Sequence, residues 1–232
     1  MKTILKQLFE KYKIDFTEEM LDKFEKYYDY TIKINQQFNL TAITEKNEFA
    51  IKHFLDCALA EKFLPKNATV VDIGAGAGFP SVPLKILRED LTIVMVDSLN
   101  KRVNFLNDVI FLLGLKNISA VHARAEDFAK QKREYFDVSI ARAVANLSTL
   151  SEYCLPLTKV GGMFLSLKGQ AGQEEVELAQ NAITILGGKL ERVEYQKIEE
   201  IDSDRCFVLI KKIKPTLAKY PRGKNLPRVK PL

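Results

Sequence analysis

The chain has 232 residues, 47% of them hydrophobic, and a formal net charge of +5. That is enough apolar material for a large buried core and excludes a disordered or low-complexity protein. Three scattered cysteines (Cys57, Cys154, Cys206) and two histidines (His53, His122) form neither a CxxC pair nor a ligand cluster, which excludes a disulfide framework and a zinc site.

The opening MKTILKQLFEKYK breaks its apolar residues with lysines, whereas a signal peptide needs an unbroken apolar stretch. The longest apolar run elsewhere, Val109 to Leu113, is too short to span a bilayer, so a soluble cytoplasmic protein is expected. From Lys2 to about Leu64 the pattern is helical. Thr17 is placed as an N-cap, and Met20, Leu21, Phe24, Tyr27, Tyr28 and Thr31 form a stripe expected to pack a helical layer on the rest of the chain.

From Ala68 short β-branched runs alternate with amphipathic segments. Strands are predicted over Thr69–Ile73, Thr92–Asp97, Ile118–His122, Phe136–Ala141, Met163–Lys168, Lys189–Glu199 and Cys206–Lys212. Helices are predicted over Ser81–Arg88, Lys101–Leu113, Ala125–Lys132, Leu147–Leu157 and Gln173–Leu186. Such alternation implies a parallel sheet covered on both faces, and the last two strands, with no room for a helix between them, form an antiparallel hairpin. The expected organisation is a helical extension over 1–64, an α/β domain over 65–213 and a basic, proline-rich tail over 214–232.

Residues Lys211 to Leu232 hold eight Lys or Arg and no Asp or Glu, which leaves the rest of the chain at −3. A basic tail on a mildly acidic body points to a polyanionic partner. Pro215, Pro221, Pro227 and Pro231 are read as forbidding a helix there and favouring an extended arm that exposes its cations. Truncation after Ile210 is therefore expected to weaken polyanion binding and to leave small-ligand binding nearly intact.

The first strand runs into VVDIGAGAGFP, where Asp72 is followed by Gly74, Gly76 and Gly78 and then by a helix. This is the strand, turn and helix that a nucleotide loop requires. A dinucleotide fingerprint from Gly74 would need a small residue at position 79, which is Phe79, and the lysine of a P-loop is absent. DxGxGxG resembles instead the first motif of class I S-adenosylmethionine-dependent methyltransferases, whose cationic cofactor suits an acidic loop mouth. Asp97 then closes the second strand, where a carboxylate accepts hydrogen bonds from both ribose hydroxyls. HARAEDF after the third strand places Ala125 and Glu126 at an adenine pocket, or alternatively at the positive end of a helix.

After the fourth strand, ARAVANL has no (Asp/Asn)-Pro-Pro-(Tyr/Phe) turn for amine methylation. Cys154 and Cys206 fall in helix and strand contexts, where a free cysteine is a small buried hydrophobe. The chain is compatible with an acceptor nitrogen that already has a free lone pair, such as guanine N7.

FNLTAI (Phe38 to Ile43), HFLDCAL (His53 to Leu59), DIGAGAGFPSVPLKI, VDSLNKRVNFL, ARAVANL, LKG and a terminal YPR…P…PL together resemble the ribosomal RNA small-subunit guanine-N7 methyltransferase family, from about Phe38 to the C-terminus. The resemblance implies a Rossmann-like class I methyltransferase fold with a seven-stranded, mostly parallel sheet. It implies S-adenosylmethionine as cofactor and 16S rRNA of the small subunit as partner, in a metal-free, monomeric enzyme. Gly74, Gly76, Phe79, Asp97, Ser98, Ala125, Glu126 and Arg142 would line the cofactor pocket. Lys101, Arg124, Arg142, Lys168, Arg205 and, in the tail, Arg222 would face RNA. No catalytic residue is implied, since attack by N7 needs no general base. Asn39 and His53, with Asp56, would pack the helical layer over the cofactor or, alternatively, each fill a satisfied structural role; Arg142 has the alternative of a salt bridge to Asp72 or Glu126. Two departures stand out: Cys57 replaces the serine of HxLDS, and Asn225 replaces a tail glycine. Asparagine tolerates the left-handed backbone that glycine would supply.

Overall fold

The computed structural model describes residues 1–142, 145–169 and 172–232; Ala143 and Val144, in the middle of ARAVANL, lie outside the described residues. Its centre is one seven-stranded sheet in the order β3-β2-β1-β4-β5-β7-β6. The strands are β1 (Thr69–Ile73), β2 (Thr92–Asp97), β3 (Ile118–His122), β4 (Phe136–Arg142), β5 (Thr158–Lys168), β6 (Gly188–Ile198) and β7 (Ser203–Lys212). β1 to β5 are mutually parallel, and β7 runs antiparallel to both β5 and β6. The predicted parallel sheet and terminal hairpin are both present. After β3 the chain returns to the other side of β1, so the order reverses between β1 and β4, and ligands of doubly wound sheets bind at such a reversal.

Alternation along the strands sends residues to opposite faces. Val70, Ile93, Met95, Val138 and Ile140 meet a core built with α1 (Lys2–Tyr12), α2 (Glu18–Asn35), α5 (Ser81–Leu87) and α6 (Asn100–Leu113). Val71, Ile73, Val96, Phe164 and Val208 meet α7 (Ala125–Gln131), α8 (Leu147–Cys154) and α9 (Gly172–Ile185). β1, β2 and β4, central in the sheet and largely buried on both faces, account for the near-continuous apolar runs of the sequence.

Thr17 caps α2 by accepting from the Met20 N–H at 3.2 Å. Leu21, Phe24, Tyr27 and Thr31 of the expected stripe are fully buried, and Met20 and Tyr28 are partly so. The helical reading of residues 2–64 fails between α2 and α3 (Lys46–Phe49), where FNLTAI is a loop. Asn35 explains the break. Its Oδ1 accepts from Leu40 N (2.7 Å) and Thr41 N (3.0 Å), and its Nδ2 donates to Thr41 O (3.0 Å). An asparagine side chain that supplies backbone partners competes with helix propagation. After α3 come a wide π turn (Ala50–Leu55) and α4 (Asp56–Ala58).

The tail differs most from expectation. Thr216, Tyr220 and Pro227 are buried, and Leu226–Val229 forms a short helix, α10, with its proline in the first turn, where no intrahelical N–H is needed. Arg133 donates to the carbonyls of Thr216 (2.5 Å), Leu217 (2.8 Å) and Tyr220 (2.8 Å), and the Thr149 hydroxyl donates to Pro227 O (2.8 Å). The prolines shape a folded strap, not an extended arm.

Candidate active site

The carboxyl ends of β1 to β4 open into a cavity of about 710 Å³. Its floor is the glycine loop, which crosses from β1 to the neighbouring strand. Gly74 N donates to Val96 O (2.8 Å), and Gly76 N donates to Asp97 Oδ2 (2.9 Å). Gly78 has φ +93°, and a Cβ there would stand 2.7 Å from Val82 Cγ2 and 2.8 Å from Tyr27 Oη. The close packing of the loop on α2 and α5 is therefore made at Gly78, which leaves position 79 free to carry a phenyl ring. Tyr27 locks the same loop by donating its hydroxyl to Ala77 O.

Asp97 ends β2 at the cavity wall with only 3% of its surface exposed. Each carboxylate oxygen accepts one backbone N–H, Oδ2 from Gly76 and Oδ1 from Leu99 (2.9 Å). Each oxygen has a second lone pair, so the group retains acceptor sites for a diol. Arg102 Nη1 lies 3.5 Å from Oδ2. Beyond β3, Ala125 opens α7 and Glu126, buried, faces the cavity.

At the other end, beyond β4, a polar cluster backs the wall. Arg142 Nε sits 3.1 Å from Asp56 Oδ2, and its other nitrogens donate to Cys57 Sγ (3.1 Å), Lys52 O (2.7 Å) and His53 Nδ1 (3.0 Å). The partner is Asp56, not the Asp72 or Glu126 weighed from the sequence. Arg205 Nε is 3.0 Å from Asp56 Oδ1 but off the line of a hydrogen bond, so that contact is an ion pair. His53 stacks on Phe79 with ring centroids 4.4 Å apart and planes at 13°. Burial, and then Arg142, push its pKa down to about 3, so the imidazole is neutral.

Gly74, Gly76, Phe79, Asp97, Ser98, Ala125, Glu126 and Arg142 all line this one cavity. Lys101 and Arg124 are exposed; Arg124 stands on the cavity rim, while Lys101 covers the Phe38 ring at 5.1 Å. The remaining cations depart from the expectation of free, RNA-facing charge. Lys168 pairs with Glu175 (2.7 Å), Arg205 with Asp56, and Arg222 forks onto the fully buried Glu152 (2.9 and 2.6 Å). Lys212, counted with the basic tail, is fully buried against Glu134 and Thr216. Asn39 is exposed and outside the wall.

Thr41, Arg102, Tyr153, Asn225 and Arg228 also line the cavity and were not singled out as site residues. Asn225 adopts the left-handed backbone expected of a glycine substitute (φ +58°), and its N–H donates to Glu126 Oε1 at 3.3 Å. The strap is thus part of the wall. The earlier expectation that its removal spares small-ligand binding is reversed.

Asp72 stands behind the loop, fully buried, not at its mouth. Neither carboxylate oxygen has a partner of ordinary hydrogen-bond geometry, and burial raises its pKa from 3.8 to about 7, with nearby Ser81 pulling the other way. The unfolded carboxyl ionises first as pH rises from about 4, so this group lowers stability progressively until pH passes about 7. Asp72→Asn, which removes the titration, is expected to gain stability over the wild type as pH rises through that window. Urea unfolding at about pH 5 and about pH 8 checks this, and a gain larger at the lower pH would contradict it.

All three thiols are buried, and burial raises each thiol pKa, that of Cys57 to about 12. None lines the cavity, so none is placed as a nucleophile. Among the described residues no three His, Cys, Asp or Glu side chains converge to hold a metal ion, and no helix is long and apolar enough to cross a membrane.

A doubly wound sheet with a terminal antiparallel hairpin and an acid-ended second strand is the fold of class I S-adenosylmethionine-dependent methyltransferases. Solved structures agree at the level of fold. The TYW2 protein of M. jannaschii, in complex with AdoMet, gives a TM-score of 0.56 at 16% identity over 75% of this chain and 81% of that one. A putative transferase from Pyrococcus horikoshii gives 0.56 at 16% identity over 68% and 62%. The sequence goes further: the family model described as rRNA small subunit methyltransferase G matches residues 20–203. Ribosomal RNA small subunit methyltransferase G of Desulforamulus reducens is 50% identical over 98% of this chain and 97% of its own. The protein of that name from Lactobacillus johnsonii is 46% identical over 96% and 95%. The chain belongs to the rRNA small subunit methyltransferase G family.

Proposed function

We propose that this chain transfers the methyl group of S-adenosylmethionine to N7 of a guanine in 16S rRNA of the small ribosomal subunit. The observation that carries the reading is the asymmetry of the cavity. Its two carboxylates, Asp97 and Glu126, stand on the β2 and β3 side, whereas the β4 side holds Thr41, His53, Phe79 and Arg142. His53 is neutral and both its nitrogens are engaged, so among the described residues that end offers no general base. An acceptor with a free lone pair needs none.

The bound cofactor would supply an electrophilic methyl on sulfur. Asp97 would hold the ribose hydroxyls, Gly74 and Gly76 would admit the methionine end close to the backbone, and Ala125 with Glu126 would border the adenine. The chain's own contribution is then to orient the guanine in line with the methyl group and to exclude water. Arg124, Arg228 and Lys101, exposed at or near the rim, would meet phosphates, which makes RNA binding salt-sensitive. The helical layer over 1–64 would serve as the roof on the acceptor side, and the tail over 214–232 as a wall on the adenine side.

Small subunits from cells that lack this methylation, incubated with the protein and labelled cofactor, should acquire label in 16S rRNA, and chemical cleavage at N7-methylguanine should map it. Unlabelled RNA alongside normal cofactor binding overturns the proposal.

A further inference from the structure

We propose that the Thr41 hydroxyl is a one-way hydrogen-bond donor that reads O6 of the target guanine; the assignment rests on the function proposed above. The polarity of the hydroxyl follows from a chain of contacts that begins at Asp56. Arg142 donates only, so its 3.0 Å contact makes His53 Nδ1 an acceptor and places the ring proton on Nε2. That Nε2–H lies 2.8 Å from Thr41 Oγ1 and donates to it. The Ile43 N–H donates to the same oxygen at 3.1 Å. A hydroxyl has two lone pairs and one proton. Both lone pairs of Thr41 are taken from within the chain, and its proton has no partner among the described residues.

The position of this donor is as constrained as its polarity. Asn35 pins the Thr41 backbone on both sides, and His53, stacked on Phe79, cannot rotate without losing that contact. Thr41 lines the cavity and is tied to its β4 side through His53, which in turn meets Arg142 at the end of β4. The guanine edge that carries N7 also carries O6, an acceptor, whereas adenine presents an amine donor at the same place. A hydroxyl free to donate or accept would serve both bases. One with saturated lone pairs accepts guanine and leaves an adenine amine facing an oxygen that cannot receive it.

The test uses small-subunit RNA particles carrying guanine, inosine or 2,6-diaminopurine at the mapped position. All three keep N7, and only diaminopurine replaces O6 by an amine. The wild type should methylate guanine and inosine comparably and diaminopurine far more slowly. Thr41→Val should lose roughly 10- to 100-fold in kcat/KM on guanine with little change on diaminopurine, so that the ratio collapses, while cofactor Kd stays within about 2-fold. Thr41→Ser should restore the ratio. His53→Phe, which keeps the stack but frees a lone pair on Thr41, should gain activity on diaminopurine, and this arm stands if the valine variant does not fold.

An unchanged ratio in Thr41→Val, a cofactor Kd that rises in step with the lost rate, or no gain in His53→Phe overturns the assignment while N7 methylation stands. A wild type that leaves N7 unmodified in every particle overturns the proposed function and this assignment with it.

Discussion

Asp97→Ala is expected to weaken S-adenosylmethionine binding by about 100-fold or more, as measured by calorimetry. Two ribose hydroxyls donating to a charged acceptor contribute about 1.5–3 kcal/mol each, and a tenfold change in affinity is about 1.4 kcal/mol. The side chain also holds the floor of the cavity, because Gly76 N and Leu99 N each donate to a different oxygen of the same carboxylate. Alanine leaves both N–H groups unpaired beside the glycine loop. Asp97→Asn is not a mild substitute. An amide has one oxygen, so it can accept from Gly76 or from Leu99 while its NH2 faces the other donor. Both variants should therefore lose affinity, with thermal unfolding shifted less than binding. Unchanged affinity in Asp97→Ala would remove Asp97 from the site.

Arg222→Ala should cost about 3–5 kcal/mol in stability and raise cofactor Kd, because it strands a buried carboxylate. The Glu152 side chain is fully buried and takes three contacts from Arg222 in addition to its backbone N–H at 2.7 Å. Arg222 keeps 20% of its side chain exposed. Losing the carboxylate instead, in Glu152→Gln, leaves an arginine that can turn to solvent and costs less. The strap that Arg222 anchors carries Asn225 to Glu126 and Arg228 to the rim, so loosening it opens the adenine side of the cavity. Removal of residues 215–232 should have the same effect on the cofactor. Loss of RNA binding with unchanged cofactor Kd would instead mean that the tail acts as a free basic arm.

Much of the fold was legible because its signals are local. Strand and helix periods are set by which neighbours face the core, and β1 to β4, α6 and α7 lie within a residue or two of their predicted bounds. The glycine loop and Asp97 were legible for a similar reason: the turn, the close approach and the strand-end carboxylate all follow from consecutive residues. FNLTAI was harder. Its helical surroundings hid a single asparagine whose side chain replaces backbone partners, and only that loop brings Thr41 to the cavity.

The sequence by itself determined the class of sheet, the loop and the acid that end its first two strands, and the family. Tertiary structure alone decided which charges are free. Lys168, Arg205, Lys212 and Arg222 look like a binding surface as a count of cations, yet Lys168 pairs with Glu175 at the start of the next helix, and each of the other three finds a carboxylate on a distant segment. Ion pairing depends on distances between residues far apart in the chain, which composition does not record. The same holds for the strap: prolines set its local bends, while Arg133, Glu152 and Glu126, far earlier in the chain, determine where it lies.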